Sequence, residues 1–207
     1  MKKYFFIILL SINNIYSQID LKAEELLKRV SFNIDNAKNY SINFSYQLDD
    51  NINQLTNGSV IISKDNYFLD FMGIKQICDS SFIYTIVPEN EEVMISEISK
   101  EDPQTISPSK ILNFYRQGYT IELDESKNEN NFKIQYIKLT PIDSNSDVSH
   151  LYLGINSNYN IYNVIEIGKN KSKTIFKVNK ILYNIDIEKD IFTFDKNKYE
   201  GYYIERI

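Results

Sequence analysis

The stretch YSINFSYQL, residues 40–48, alternates without a break: Tyr40, Ile42, Phe44, Tyr46 and Leu48 fall on one side, and Ser41, Asn43, Ser45 and Gln47 on the other. A period of two sustained over nine residues predicts a β-strand with one face in a core. Upstream, Leu21, Leu26, Leu27 and Val30 recur at helical spacing among Glu24, Glu25 and Lys28, which predicts an amphipathic helix over 21–36. Downstream, Asn57-Gly58 is the residue pair of a two-residue hairpin turn. After it, SVIISKDNYFLDFMG, 59–73, reads as two short strands broken near 64–66. Phe82, Tyr84 and Ile86 then alternate toward a turn at 88–92, and Val93 and Ile95 return.

A second helical pattern follows, with Ser107 as N-cap, Pro108 in the first turn, Ile111, Leu112, Phe114 and Tyr115 on its apolar face, and Gly118 ending it. The charged stretch 124–131 reads as a turn or loop. Strands are predicted over 132–140, 150–155, 161–168, 173–183 and 190–194. Short polar connections favour antiparallel neighbours, so the simplest topology is a long meander curling into a barrel or half-barrel that carries a few helices. The composition agrees: 16 Tyr and 12 Phe stand against 6 Gly and 4 Pro.

The chain opens with MKKYFFIILLSINNIYS, which has a positive start at Lys2 and Lys3, an apolar run too short to span a bilayer, and a small residue before Gln18. A cleavable export signal over 1–17 is expected, followed by a single domain over 18–207. Loss of Lys2 and Lys3 takes 23 basic residues to 21 against 28 acidic ones, a charge of −7. That balance argues against nucleic acid as a partner. The lone cysteine, Cys78, forms no intramolecular disulfide and cannot be a lipid-modified N-terminus, so an unanchored exported protein is expected, with Cys78 a small buried hydrophobe.

Catalytic chemistry is hard to find. His150 is the one histidine and reads as a solvated residue at a strand edge, which rules out a histidine-based metal cluster. The chain has no GxSxG elbow, phosphate-binding glycine loop or HExxH. The acidic clusters at Asp49-Asp50, at Glu89 with Glu91 and Glu92, at Glu101-Asp102 and at Asp124-Glu125 all fall in predicted turns and read as solvated loop tips. Neither an enzyme nor a cofactor is expected. A large sheet with few helices has more apolar face than helices can cover, leaving either a tight core or a cavity for an apolar ligand.

In order along the chain, AEELLKRVSFNIDNAKNYSINFSYQ, GSVIISKDNYFLDF, KQICDSSFIYTIVPENEEVMI, SPSKIL, YIKLTPID and DIFTFDKNKYEGYYI resemble segments of the LolA family of outer-membrane lipoprotein carriers. The resemblance implies an unclosed antiparallel half-barrel of about eleven strands with a helical lid, whose apolar interior takes up lipoprotein acyl chains. It further implies a periplasmic monomer that receives cargo from an inner-membrane lipoprotein-releasing ABC transporter and passes it to an outer-membrane acceptor. Three departures stand out: Lys64-Asp65 where family members carry an Arg beside a Pro that latches the lid, Asp79-Ser80 in place of an Asp-Gly turn, and no Trp.

The alternating sets supply the candidate lining: Tyr40, Ile42, Phe44 and Tyr46; Val60 and Ile62; Tyr67, Leu69 and Phe71; Phe82, Tyr84 and Ile86; Ile134 and Tyr136; Phe176 and Val178; Phe192 and Phe194. Ile111, Leu112, Phe114 and Tyr115 are the candidate lid. Two rivals stand beside the carrier. One is a lipid-sensing or envelope-assembly module on the same half-barrel; the other is a secreted hydrolase using Asp79, Asp143 or Asp147.

Overall fold

The computed structural model describes residues 20–48, 55–98, 118–129 and 132–207. One helix, α1 (Leu21–Asp35), precedes twelve strands: β1 (Tyr40–Leu48), β2 (Thr56–Ser63), β3 (Asn66–Phe71), β4 (Ile74–Cys78), β5 (Phe82–Val87), β6 (Glu92–Glu97), β7 (Tyr119–Glu129), β8 (Phe132–Pro141), β9 (Val148–Ile155), β10 (Ile161–Gly168), β11 (Lys173–Tyr183) and β12 (Tyr203–Arg206). They form a single unclosed sheet in the order β12-β6-β5-β4-β3-β2-β1-β11-β10-β9-β8-β7. Two meanders, β1–β6 and β7–β11, join where β1 pairs with β11, Tyr40 opposite Tyr183. The most regular strand of the sequence is thus the seam of the sheet. Every pairing is antiparallel except that of β12 along β6.

The helix forms where its spacing predicts. The Asp20 carboxylate accepts the backbone N–H groups of Lys22 and Ala23 at 2.9 and 3.4 Å, satisfying donors that the first turn leaves open. Glu24–Lys28 and Glu25–Arg29 pair along the outer side at 2.9 and 2.8 Å. Ala23, Leu27, Val30 and Ile34 bury the inner side against one face of the sheet, among Tyr40, Ile62, Tyr67, Cys78, Ile121, Ile137, Leu139 and Leu153. Cys78 is a buried thiol there, as expected. Asp20 also guards the free edge of β7: its N–H donates to Ile121 O, and its second oxygen accepts Leu123 N–H at 3.3 Å. A bare sheet edge invites pairing with another chain, and this contact occupies part of one.

The opposite face of the sheet is covered on one half by the chain's end. Ile77, Ile86 and Val93 bury there against Phe194, Tyr199, Tyr202 and Ile204. On the other half, Ile134, Tyr136 and Tyr162 form a separate cluster with Tyr152 and Ile165.

Several local expectations are corrected. Asn57 and Gly58 lie inside β2 rather than in a turn, with Gly58 paired to Phe44 on one side and Phe71 on the other. Residues 124–129 continue β7 instead of forming a loop, and a bulge between Leu123 and Ser126 absorbs Asp124 and Glu125. Those two acids therefore sit in an edge strand, not a loop tip. The predicted strand over 190–194 is a pair of turns, closed by Ile191 N–H to Glu188 O and Thr193 N–H to Asp190 O. The twelve strands among the described residues agree with the expected half-barrel of about eleven. β4 escapes the period-two reading because Ile77 and Cys78 are adjacent, apolar and buried on opposite faces. β12 is too short and polar to be recognised without its partner β6. His150 lies on an interior strand rather than at an edge, with its ring 4.9 Å from Tyr152 and its pKa lowered by burial and then by Lys138.

Candidate functional site

α1 covers only part of the face it packs on. Beneath it, Tyr40, Ile62 and Tyr67 are core, with Ile42, Val60 and Leu69 packed against that core. Burial pushes the hydroxyl pKa of Tyr67 up to about 12 and raises that of Tyr40 as well, so both stay neutral hydrogen-bonding groups. Tyr67 donates to Gln76, which donates to Thr85, so a polar chain crosses three strands on this face.

Further along β1 the same face carries a cluster of rings. Phe44 lies 5.3 Å from Phe71 and 4.6 Å from Phe176, and Tyr46 meets Phe71 edge-on at 5.7 Å. Strand register places these rings together: Tyr46 is opposite Phe176, Phe44 is opposite Val178, and Phe44 and Phe71 flank Gly58 across β2. A bulge in β11 makes this possible, because pairing passes from Asn43–Lys180 to Phe44–Val178 and leaves Asn179 as the extra residue. Gly58 is equally necessary. A Cβ at that position would fall 2.5 and 2.8 Å from Phe44 ring atoms and 2.8 Å from the Phe71 ring, so the two rings occupy the space a side chain would fill.

Beside the cluster, apolar side chains face solvent. Leu48 continues the β1 alternation and is 46% exposed, and Ile74, opposite Phe71, is 37% exposed. Met72, in the two-residue turn between β3 and β4, is 63% exposed. Its φ of 55° and that of Gly73, 76°, are the left-handed pair a tight hairpin requires, although methionine is poorly suited to that region. The result is an aromatic floor bordered by exposed aliphatic groups, outside the cover of α1. It can hold an apolar chain by surface burial.

No protein-family model matches the sequence, and no curated protein does. Solved structures do. An uncharacterized conserved protein from Thermus thermophilus superposes with a TM-score of 0.62 at 10% identity, over 90% of this chain and 99% of that one. A LolA superfamily protein from Nitrosomonas europaea aligns at 13% identity over 84% of this chain and 98% of its own, with a TM-score of 0.42. A domain from Vibrio parahaemolyticus described as an outer-membrane lipoprotein-sorting protein aligns at 11% identity, with 86% and 99% coverage and a TM-score of 0.38. These two likenesses are looser than that to the Thermus protein, which alone of the three is close enough to establish a shared fold.

Against the LolA-like expectations, the structure sorts the candidate residues. Tyr40, Ile42, Phe44, Tyr46, Val60, Ile62, Tyr67, Leu69, Phe71, Phe176 and Val178 lie on the helix-bearing face, as the pairings of β1 with β2 and β11 and of β2 with β3 require. Phe82, Tyr84 and Ile86 lie on the opposite face, where Tyr84 stacks on Phe194 at 4.6 Å and Phe194 on Tyr199 at 5.3 Å. Ile134 and Tyr136 also face away, within the cluster around Tyr162. A sheet stands between these and Phe44, so the candidate sets cannot line one interior. Phe192 sits in the turn before Phe194. The lid residues Ile111, Leu112, Phe114 and Tyr115, like the signal at 1–17 and the acidic pairs Asp49-Asp50 and Glu101-Asp102, lie outside the described residues.

Lys64 and Asp65 form the β2–β3 turn, Lys64 with φ 55°. Asp79 is occupied structurally: one oxygen accepts the N–H groups of Ser81 and Phe82, and the other accepts the Tyr84 hydroxyl. Asp143 likewise accepts Asn145 N–H within its own turn. Sequence reasoning missed Gly58, Leu48, Ile74 and Met72. Leu48 was within reach, being the next member of the β1 alternation; the others depend on which strands become neighbours.

Proposed function

We propose that this chain is a periplasmic carrier that binds the acyl chains of lipoproteins on its helix-bearing face and moves them from the inner to the outer membrane. In this reading residues 1–17 direct export, the mature protein is unanchored, and no catalytic step is involved. An inner-membrane lipoprotein-releasing ABC transporter loads it, and an outer-membrane acceptor unloads it. The observation that carries the reading is the ring cluster of Phe44, Phe71, Phe176 and Tyr46, left beside exposed Leu48, Ile74 and Met72 and outside the cover of α1. The ordered LolA-like segments of the sequence support the same cargo.

The energetics suit a shuttle. Full burial of an acyl chain of about sixteen carbons is worth on the order of 10 kcal/mol at about 0.8 kcal/mol per methylene. Release into water would therefore be slow, and transfer requires a second apolar site of equal or greater affinity. Native mass spectrometry of the protein purified from its own envelope tests the reading. Co-purifying acylated lipoprotein supports it; a protein that is always empty and takes up neither a triacylated peptide nor a hydrophobic dye overturns it.

A further inference from the structure

On the outer flank of α1, away from the ring cluster, two hollows of about 360 and 470 Å3 adjoin one another, within the size range of small-molecule sites. Phe32 and Asn33 line both, so together they form one groove. Five asparagines line the first hollow: Asn33 and Asn36 from α1 and its end, Asn158 and Asn160 from the β9–β10 turn, and Asn184 after β11.

Among the described residues, several of these amides are held by one half and open at the other. Asn33 Nδ2 donates to the carbonyls of Asn158 and Tyr159 at 3.0 and 3.3 Å, and Asn36 Nδ2 donates to Phe32 O at 2.7 Å. Asn184 Oδ1 accepts Lys38 N–H, and Asn160 Oδ1 accepts the Tyr183 hydroxyl, both at 2.8 Å. Backbone partners settle which end is nitrogen for Asn33, Asn36 and Asn184, because a carbonyl only accepts and an N–H only donates. The remaining halves are two acceptors, Oδ1 of Asn33 and Asn36, and two donors, Nδ2 of Asn160 and Asn184. Phe32 stands at the junction of the hollows, 67% exposed, far more than an aromatic ring of this size needs to be on a helix with its own buried face.

The charge balance narrows the ligand. The first hollow has no ionised lining residue. In the second, Arg29 is paired to Glu25 at 2.8 Å and lies over the Tyr159 ring at 4.9 Å, and Lys28 is paired to Glu24. No uncompensated charge waits for a phosphate or carboxylate. Fixed amides offering both donors and acceptors beside an exposed aromatic face suit a neutral molecule dense in hydroxyl groups, each of which both donates and accepts. We propose that this groove binds a neutral oligosaccharide, its hydroxyls on the asparagine amides and one sugar face on Phe32. Two adjoining hollows favour an oligomer over a single sugar.

The test is calorimetric titration of the full chain with maltohexaose, cellohexaose and N-acetylchitohexaose, with polygalacturonate as the charged counterpart. One of the three neutral probes is expected to bind, and Phe32→Ala to weaken it by about tenfold or more, equivalent to about 1.4 kcal/mol. Asn160→Asp keeps the oxygen that accepts from Tyr183 while turning the free donor into an acceptor, and it should weaken the same probe. Phe32 is exposed, so its loss leaves the fold intact. The proposal falls if no neutral probe binds, if polygalacturonate binds in preference, or if both variants bind as the wild type does.

Discussion

Gly58 lies beneath the ring of Phe44, so close that a Cβ there would meet its Cζ at 2.5 Å. Glycine in a strand interior ordinarily weakens the strand, and here its absent side chain is the space in which the aromatic floor is built. Gly58→Val is therefore expected to push the rings of Phe44 and Phe71 apart, costing about 1–3 kcal/mol as overpacking does. Urea unfolding reads the stability, and titration with a fluorescent fatty acid reads the site. Unchanged uptake in a folded Gly58→Val protein would remove the floor from the binding reading.

Tyr46 and Tyr84 separate the two faces. Tyr46→Ala takes a ring from the partly exposed cluster and should lower fatty-acid affinity with a modest loss of stability. Tyr84→Ala breaks the stack on Phe194 across the sheet, so it should lower the melting temperature and leave affinity as it was. A reversed pattern would place the ligand on the opposite face.

Met72 holds a left-handed backbone that costs a non-glycine residue roughly 1–2 kcal/mol, and asparagine tolerates that region far better. Met72→Asn should raise stability by about 0.5–1 kcal/mol in denaturant titration. A loss would mean that the exposed Met72 side chain makes a stabilising contact in the folded protein.

Asp20 has its pKa lowered, chiefly by the N–H of Lys22 and further by those of Leu123 and Ala23, while desolvation opposes them. A depressed carboxylate stabilises the fold above its unfolded value, near 3.8, and that contribution fades as pH falls through the lower folded value. Asp20→Asn keeps a capping oxygen but not the charge. Melting temperatures followed downward from neutral pH should therefore fall more steeply in the wild type than in the variant. Parallel curves would show that the carboxylate is not linked to folding.

Tyr67 and Tyr183 act at the other end of the pH scale. Burial pushes both hydroxyls up to about 12, so the folded state holds protons that the unfolded chain releases near 10. Their stabilisation is intact below about pH 10 and is lost as pH rises through about 12. Ultraviolet titration of tyrosinate should show late-ionising groups that Tyr67→Phe and Tyr183→Phe each reduce by one; full ionisation by about pH 11 would contradict their burial.

What was legible in the chain was what repeats locally. The alternation at 40–48 gives β1, the spacing of Leu26, Leu27 and Val30 gives α1, and the strands over 132–183 stand close to where their patterns put them. Acidic residues misled at 124–129, because an edge strand exposes its outer side and can be charged throughout. Asn57-Gly58 misled in the opposite sense, since a glycine pair that makes a good turn also makes room in a strand.

The sequence alone determined which residues alternate, because side chains in a strand leave the backbone with a period of two wherever the strand lies. It could not determine which face each set meets. Phe44 joins Phe176 only because β1 finds β11 far along the chain and a bulge at Asn179 resets the parity of their pairing. Tyr84 is turned from that cluster toward Phe194 only because the chain's end returns to cover the other side. Period is local, whereas facing is a relation between strands distant in sequence, and a one-residue shift in register reverses it.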